Sequence, residues 1–498
     1  MAEPFYITTA ISYPNGRPHI GHAYEAIAAD AVARFQRAQG RDVRFMTGTD
    51  EHGLKMAQAA RAEGVEPAIY AHKMSQLFQD MCDVLEVSYD RFIRTSDPEH
   101  HRASQAIWTA MAERGDLYLG RYEGWYSVRD EAFYDDNELT DGEGNEKLSP
   151  QGTPVEWTVE ESWFFKLSAY QQPLLDHYAA HPAFIQPDSR RNEVLRFVEG
   201  GLSDLSISRT SFDWGVKVPG SPDHVMYVWL DALTNYLTGV GYPDGGELFE
   251  RYWPADLHLI GKDVVRFHAV YWPAFLMSAG IALPKQVYGH GFLLSRGEKM
   301  SKSIGNVVDP IALADSFGVD ALRYFLLREV TFGQDGTYSA EAIVNRVNAE
   351  LANSFGNLAQ RSLSMIFKNL DGVLPDAGEA LEDRALLDLV ATTCDVLVPG
   401  EFERLAFSAG LEAWIGAVFA CNAYVDAAAP WALRKTDPKR MAEVLGTLVV
   451  AIRQLALAVA PIVPKSAQTL IDLIDSGKGG NPIAQPTPTF PRLELEAA

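Results

Sequence analysis

The stretch that decides the fold is residues 4–49, PFYITTAISYPNGRPHIGHAYEAIAADAVARFQRAQGRDVRFMTGT. Its first eight residues are mostly β-branched or aromatic, which favours a strand, and Pro14-Asn15-Gly16 is typical of a turn. The apolar repeat that follows predicts a helix ending at Gly40, and residues 42–49 predict a second strand. Because another helical pattern follows at residues 53–64, strands and helices alternate. This alternation predicts a parallel sheet.

The same alternation returns later in the chain, after a middle section of different character. Residues 118–225 are rich in turn-forming and acidic side chains, so we predict an insertion there. Residues 256–261 and 285–293 predict two more strands, with a helix at 264–279 between them. Beyond residue 345, long Ala- and Leu-rich amphipathic patterns predict a bundle of helices. The expected fold class is therefore α/β with an insertion, followed by an all-α bundle.

The composition excludes several classes of protein. The 498 residues include 43 Lys+Arg and 66 Asp+Glu, giving a formal net charge of -23. Overall basicity cannot attract nucleic acid to such a chain, so any RNA contact must be local. The three cysteines are too far apart for a disulfide scaffold or a Cys-x-x-Cys knuckle. Because no apolar run reaches about 18 residues and the N-terminus resembles no targeting signal, we predict a cytoplasmic protein without a membrane partner.

Two short motifs carry the chemistry. His19-Ile20-Gly21-His22 lies between the first strand and the first helix, where free N–H groups and the helix dipole favour anions. Lys299-Met300-Ser301-Lys302-Ser303 lies in a loop after a later strand, and its lysines can neutralise the charge that develops on a leaving pyrophosphate. Each motif has an ordinary alternative, as helix-capping histidines or as a solvated basic loop. No G-x-G-x-x-G follows the first strand, which argues against a dinucleotide oxidoreductase.

Taken together and in this order, the motifs resemble the paired signatures of class I aminoacyl-tRNA synthetases. The resemblance to the methionyl-tRNA synthetase family covers nearly the whole chain and includes FMTGTDEHG, YVWLDALTNY and HLIGKDVVRFHAVYWPAFL. It implies ATP-dependent ligation of L-methionine to methionine tRNA through methionyl-adenylate, for translation initiation and elongation. It also implies a Rossmann-like catalytic domain (1–117 and 226–295), an inserted connective domain (118–225), a KMSKS loop with a stem-contact region (296–345) and an anticodon-binding helical bundle (346–498).

The resemblance also implies which residues bind methionine. Asp50, after the second strand, would pair with the ammonium group, although a turn or N-cap role is an alternative. A polarizable thioether packs well on aromatic rings, and two helices offer such rings at spacings of three, four and seven. The implied methionine-binding residues are Ala10, Ile11, Tyr13, Asp50, Trp229, Ala232, Leu233, Tyr236, Val264, Phe267, His268 and Trp272. The alternative is an aromatic core stripe, and His268 fits a core position equally well.

Further residues are implied for the nucleotide and the reacting carboxylate. Those expected to bind ATP are His19, Gly21, His22, Lys299, Ser301 and Lys302, of which His19, His22, Lys299 and Lys302 are expected to be catalytic. Mg²⁺ would accompany ATP in the substrate complex, and no enzyme nucleophile is required. Arg209 is expected near the substrate carboxylate and Asp50, with a structural ion pair as an equal alternative.

The predicted insertion departs from many members of the family, which carry one or two Cys-x-x-Cys knuckles there. In this chain Ser127 and Asp130 stand at the cysteine-like spacing. Ser is a poor zinc ligand, and structural zinc normally takes four sulfur or nitrogen ligands. We therefore predict no structural zinc.

Three residues near the C-terminal end are implied to read the CAU anticodon of initiator and elongator methionine tRNAs. Asn357 and Arg361 are four apart, hence on one helix face, and Trp431 follows a proline. Amide, guanidinium and indole groups hydrogen-bond to unstacked bases or stack on them. A solvated helix face and a core Trp are the alternatives. A nearby basic cluster is a candidate for phosphate contacts: Arg434, Lys435, Lys439 and Arg440. The chain ends soon after the bundle, and we predict a monomer.

Overall fold

The computed structural model describes residues 2–129, 132–142, 144, 146–295, 298–299 and 307–495. The chain divides into two compact units. The first unit consists of residues 1–29, 40–83 and 87–290, and the second of residues 30–39, 84–86 and 291–498.

The first unit contains most of the strands. They are β1 (Pro4–Thr9), β2 (Asp42–Thr49), β3 (Arg91–Arg94), β4 (Leu117–Ser127), β5 (Ala132–Tyr134), β6 (Thr140–Asp141), β7 (Lys147–Leu148), β8 (Pro154–Phe165), β9 (Ile185–Gln186), β10 (Leu205–Ser206), β11 (Ser208–Arg209), β12 (Lys217–Val218), β13 (Ser221–Met226), β14 (Leu257–Gly261) and β15 (Val287–His290). The helices that begin in this unit are α1 (Ile20–Ala38), α2 (Leu54–Glu63), α3 (Pro67–Val84), α4 (Pro98–Glu113), α5 (Gln171–Ala180), α6 (Asp188–Glu199), α7 (Val228–Thr238), α8 (Glu247–Tyr252) and α9 (Trp272–Ala279).

Six parallel strands form the central sheet, in the order β3-β2-β1-β14-β15-β9. In β1 every residue after Pro4 is buried, as expected for a parallel strand covered on both faces. The four predicted strands of this sheet are confirmed. The strands β3 and β9 were not predicted, because RFIR is charged at both ends and β9 has only two residues. The parallel sheet with helices confirms the predicted α/β class.

A second, antiparallel sheet follows α4, with the strand order β5-β4-β8-β7-β6. Its main feature is the long pairing of β4 with β8, which runs from Leu117 opposite Phe165 to Tyr126 opposite Glu156. Apart from Leu117, this sheet lies within the predicted insertion at 118–225. The same range also encloses β9, which belongs to the central sheet beside β15.

In its described residues, the second unit contains three short strands and the helical bundle. The strands are β16 (Leu293–Ser295), β17 (Glu298–Lys299) and β18 (Gly336–Tyr338). The helices are α10 (Pro310–Phe317), α11 (Val319–Glu329), α12 (Ala340–Arg346), α13 (Asn357–Asn369), α14 (Leu381–Thr392), α15 (Val398–Glu403), α16 (Phe407–Ala428), α17 (Pro430–Thr436), α18 (Pro438–Val459) and α19 (Pro464–Ser476). The carboxylate of Asp309 caps α10 by accepting from the N–H groups of Ile311 and Ala312.

Helix α18 explains how the bundle is held together. It is long and apolar enough to cross a membrane by length and composition, but 61% of that apolar stretch is buried inside the protein. Trp414 of α16 is fully buried, and its indole N–H donates to the carbonyl of Leu455 at 2.9 Å. The apolar length of α18 is therefore explained by its position in the core of the bundle.

Candidate active site

A cavity of about 390 Å³ opens where the chain leaves the carboxyl ends of β1, β2 and β14. Ligands of open α/β sheets bind at this edge, where neighbouring strands connect in opposite directions. The predicted residues that line the cavity are Ala10, Ile11, Tyr13, His22, Asp50, Trp229, Ala232, Leu233, Tyr236, Val264, Phe267 and His268. The structure thus brings together residues that lie more than 200 positions apart in the sequence.

The aromatic wall of the cavity consists of two parallel rings and a hydrogen-bonded pair. The rings of Trp229 and Phe267 stack with centroids 3.7 Å apart and planes 6° apart. The hydroxyl of Tyr236 lies 2.6 Å from Nε2 of His268, whose Nδ1 lies 2.9 Å from the carbonyl of Val264. Because a carbonyl only accepts, Nδ1 carries the hydrogen and the Tyr236 hydroxyl donates to Nε2. Burial lowers the pKa of His268 to about 4, so the ring is neutral at pH 7.

The backbone of this wall has a widened helical turn. Residues Phe267–Tyr271 form a π-helical turn that leads directly into α9, where the sequence pattern predicted one continuous helix. Such turns are rare and occur often at functional sites. This turn carries two of the lining side chains, Phe267 and His268.

Trp272 was expected in the methionine-binding wall, but it is not among the residues that line the cavity. Its ring is fully buried, and it packs edge-on against Tyr236 with centroids 6.0 Å apart. Helical spacing from His268 placed it on the correct side of the element but did not reveal its depth. Trp272 therefore supports the wall from behind.

Asp50 is a buried carboxylate at the edge of the cavity. Its backbone N–H donates to the carbonyl of Ser12 at 2.9 Å, which ties the end of β2 to the segment after β1. The hydroxyl of Thr95 lies 3.4 Å from its Oδ1. A negative group fixed in this way beside aromatic side chains suits a ligand that carries an ammonium group next to an apolar chain.

The two histidines of the first motif cap helix α1 reciprocally. The N–H of Gly21 donates to Nδ1 of His19 at 3.1 Å, and the N–H of His19 donates to Nδ1 of His22 at 3.1 Å. This arrangement resembles a capping box made with imidazoles, except that the His19 ring accepts from the second helical N–H instead of the third. A Cβ at Gly21 would lie 2.9 Å from Cε1 of His19, so the close ring requires glycine. Because both Nδ1 atoms accept, the hydrogen of each ring is on Nε2, which is the tautomer that can donate from Nε2.

The second motif lies mostly outside the described residues. Lys299 ends β17 and pairs with Leu294 of β16, while Ser301 and Lys302 are among the residues that are not described. The predicted roles of Lys299, Ser301 and Lys302 toward ATP therefore stay predictions.

Arg209 is buried in the first unit between two aromatic rings. Its guanidinium carbon lies 4.7 Å from the ring centroid of Tyr227 and 5.6 Å from that of Tyr126. Its Nη1 donates to the carbonyl of Ser208 at 2.6 Å and to the hydroxyl of Ser206 at 2.9 Å. Arg209 is not among the described residues that line the cavity, and its approach to a substrate carboxylate stays a prediction.

Several polar lining residues were missed by the sequence analysis. The most informative is Glu25, which follows His22 by three residues and so shares its helix face. Its Oε2 accepts from Nε2 of His290 at 2.9 Å, and burial raises its pKa. Helical spacing from the first motif was the signal that could have found it. Other lining residues that were missed include Asn15, Lys55, Asn235 and Asp263.

A cluster of hydroxyl groups lies where many members of the family carry a Cys-x-x-Cys knuckle. Oγ1 of Thr153 lies 2.7 Å from Oγ of Ser127 and 2.8 Å from Oγ of Ser149, and all three residues are buried. Asp130 lies outside the described residues. Within the described part of the chain, no group of three or more His, Cys, Asp or Glu side chains is placed to hold a metal ion. These hydroxyl donors do not fit structural zinc.

The predicted anticodon-binding residues lie in the second unit. The guanidinium carbon of Arg361 on α13 lies 5.4 Å from the ring centroid of Trp431 on α17, and Trp431 is 48% exposed. Asn357, one turn before Arg361, is also exposed. The indole is thus presented to solvent and is not a core residue.

The basic cluster near Trp431 is only partly available to a ligand. Arg440 forms two hydrogen bonds, at 2.5 and 2.7 Å, with the fully buried carboxylate of Asp383. This ion pair ties α18 to α14, so the structure assigns Arg440 to the bundle itself. Arg434, Lys435 and Lys439 remain as exposed candidates for phosphate contacts.

Comparisons with known proteins agree with this geometry. Residues 5–363 match the family described as tRNA synthetases class I (M), and residues 403–485 match the anticodon binding domain of methionyl tRNA ligase. A methionine–tRNA ligase of Mycobacterium bovis is 55% identical, with 99% of this chain and 98% of that protein covered. One from Brucella suis is also 55% identical, with 98% of each chain covered.

Solved structures show the same similarity. The methionyl-tRNA synthetase of Mycobacterium tuberculosis in complex with methionyl-adenylate superposes with a TM-score of 0.95 and 55% identity, covering 98% of this chain and 100% of the other. The apo form of the Mycobacterium tuberculosis enzyme gives a TM-score of 0.89 and 52% identity, with 99% of each chain covered. The chain belongs to the methionine–tRNA ligase family of class I aminoacyl-tRNA synthetases.

Proposed function

We propose that the cavity of the first unit binds L-methionine and ATP and forms methionyl-adenylate, which is then used to charge methionine tRNAs. The observation that carries this proposal is the combination of Asp50 with the aromatic wall of Trp229 and Phe267 in one cavity. The carboxylate suits the ammonium group of an amino acid, and the stacked rings suit a thioether. His22 lines the same cavity from the N-terminus of α1, where an anion is favoured.

In the first step, the methionine carboxylate attacks the α-phosphate of ATP, a phosphorus–oxygen bond forms and pyrophosphate leaves. The Nε2–H groups of His19 and His22, at the start of α1, donate to phosphate oxygens. Lys299 and Lys302 supply positive charge for the departing pyrophosphate. Mg²⁺ enters with the ATP phosphates as part of the substrate and balances their charge.

In the second step, the 2′-hydroxyl of the terminal adenosine of the tRNA attacks the activated carbonyl and AMP leaves. Recognition of the CAU anticodon belongs to Asn357, Arg361 and Trp431 in the second unit, for both initiator and elongator tRNAs. The exposed Trp431 ring, backed by Arg361, provides a flat surface on which a base can stack. We assign the catalytic domain to 1–117 and 226–295, the connective domain to 118–225, the KMSKS region to 296–345 and the anticodon-binding bundle to 346–498. The enzyme works as a cytoplasmic monomer without structural zinc.

The proposal is tested by charging methionine tRNA transcripts with radiolabelled methionine. We expect efficient charging of the CAU transcript and a loss of more than about a hundredfold when the anticodon is changed, since several bases lose their contacts together. A second variant, Lys302→Ala, tests the adenylation step separately. It should lower the adenylation rate while leaving the KM for methionine unchanged. Equal charging of both transcripts, or a Lys302→Ala effect confined to the KM for methionine, would contradict the assigned roles.

A further inference from the structure

Three buried polar side chains meet on the face of α7 that points away from the cavity. Asp231 is fully buried, and its Oδ2 lies 2.6 Å from Nδ1 of His52. Its other oxygen, Oδ1, lies 2.8 Å from Nε2 of His100, whose Nδ1 lies 2.9 Å from the hydroxyl of Thr238. As far as the structure describes the cavity, none of these four residues lines it. Their role toward a substrate is therefore indirect.

The network is attached at one end to the segment that carries Asp50. His52 follows Asp50 by two residues, and Glu51, which lies between them, is held by its own hydrogen bonds. The carboxylate of Glu51 accepts from Arg94 at 2.7 and 3.0 Å, and its carbonyl accepts from the indole N–H of Trp214 at 2.6 Å. Asp50 therefore lies on a short segment whose neighbours are held firmly.

At its other end the network is attached to the aromatic wall. Asp231 belongs to the same helix, α7, as Trp229 and Tyr236. Burying a carboxylate costs free energy, and an apolar side chain of similar size would fill the same space at a smaller cost. What a carboxylate adds is direction, because its two oxygens fix two partners at once. Burial raises the pKa of Asp231, but the electrostatic interactions and hydrogen bonds with His52 and His100 lower it by more. The net pKa is therefore below its ordinary value, and the carboxylate is ionised at pH 7.

We propose that Asp231, through its bonds to His52 and His100, sets the distance between Asp50 and the wall formed by α7, and so acts as a positioning residue for the length of the amino acid. This inference rests on the proposed function, in which Asp50 holds the ammonium group and α7 contacts the side chain. A displacement of about 1 Å between such groups can change a rate by about a hundredfold.

The test measures ATP–pyrophosphate exchange by Asp231→Asn with methionine and with ethionine, which is longer by one methylene group. We expect the KM for methionine to rise roughly tenfold, and the preference for methionine over ethionine to fall roughly fivefold, because a loosened pocket discriminates less between chain lengths. The KM for ATP and the kcat should stay within about twofold of wild type. A purely structural role would not produce this split.

Two further variants keep the test decisive if Asp231→Asn folds poorly. His52→Gln can still donate to Asp231 and should keep a KM for methionine close to wild type, whereas His52→Leu should reproduce the Asp231→Asn pattern. The effects of Asp231→Asn and His52→Leu should not add in the double variant, because both break the same bond. The matched control is Asp30→Asn, which removes a fully buried carboxylate paired with Arg323 in the second unit and should lower only the free energy of unfolding.

The inference is wrong if Asp231→Asn and His52→Leu keep the wild-type KM for methionine and the wild-type discrimination against ethionine. It is also wrong if both variants raise the KM for ATP as much as the KM for methionine. Failure of the proposed function looks different, because the wild-type protein itself would then show no exchange that depends on methionine.

Discussion

The cavity of the first unit and the exposed face around Trp431 in the second unit hold their functional side chains in different ways. In the cavity, lining groups are fixed by other protein groups, as in the contact between Tyr236 and His268 at 2.6 Å. On the exposed face, Trp431 is about half in solvent, and Arg361 reaches Asp426 only at 3.5 Å. Fixed groups suit a small ligand of one shape, whereas an exposed stacking surface suits an RNA base that must first leave its own stack.

This difference teaches where each kind of selectivity arises. Discrimination between amino acids that differ by one methylene group depends on small displacements, so it requires a rigid site. Selection of a tRNA depends on the sum of several weaker contacts, so no single contact needs a rigidly fixed side chain. Substitutions in the cavity should therefore have large effects that extend to positions behind it, while substitutions on the exposed face should have moderate and local effects.

The largest effect is expected from Asp50→Asn. Loss of the negative charge leaves the ammonium group of the substrate buried without its partner, which costs about 4 kcal/mol, close to a thousandfold in kcat/KM. The measurement is methionine-dependent ATP–pyrophosphate exchange. Thr95→Val is the matched control, since it keeps the charge of Asp50 while removing the 3.4 Å contact to it and the 2.8 Å hydrogen bond from the N–H of Glu51. If Asp50→Asn were no more harmful than Thr95→Val, the cavity would not use Asp50 for the ammonium group.

A smaller effect is expected on the pH dependence of stability from His268→Gln. The pKa of His268 in the folded protein is about 4, against an ordinary value of about 6.5, so between these pH values only the unfolded chain takes up the proton. As the pH falls from 7 to 5, this group therefore lowers the free energy of unfolding by about 2 kcal/mol. Denaturant unfolding at both pH values should show that this part of the loss is absent in His268→Gln. An unchanged pH dependence would mean that the pKa of His268 in the folded protein is not lowered.

On the exposed face, Trp431→Ala should weaken the interaction with tRNA by about 2 kcal/mol, which is roughly a thirtyfold increase in the KM for methionine tRNA. ATP–pyrophosphate exchange should be unchanged, because no tRNA takes part in it. Phe367→Ala, which truncates another partly exposed aromatic side chain of the second unit, is the control for loss of apolar surface alone. Equal effects of the two substitutions would contradict a specific stacking role for Trp431.

The smallest effect is expected at the hydroxyl cluster of the antiparallel sheet. Ser127→Ala removes the 2.7 Å hydrogen bond to Thr153 and should lower the free energy of unfolding by about 1 kcal/mol. Elemental analysis of the purified wild-type protein should find far less than one zinc per chain, since hydroxyl groups do not replace thiolates. Stoichiometric zinc, lost together with stability in Ser127→Ala, would show that this cluster binds metal.

Much of this structure could be predicted because it is recorded in local patterns. Strands β1 and β2 carry β-branched and aromatic residues, and the lining residues of α7 recur at helical spacing. Contacts between distant residues leave no such pattern. His52 and Asp231 are 179 positions apart, and the sequence around each residue contains no pattern that predicts their hydrogen bond. In the same way, spacing alone could not show that Trp272 lies behind the wall, because depth depends on what packs over a residue.

The central claim is that the cavity selects methionine and activates it with ATP. The most direct measurement is ATP–pyrophosphate exchange by the wild-type protein with each of the twenty amino acids and with homocysteine. We predict fast exchange with methionine alone among the twenty, and weaker exchange with homocysteine, because a missing methyl group is worth only about 1–3 kcal/mol in an apolar pocket. Faster exchange with any other amino acid, or none with methionine, would contradict the account.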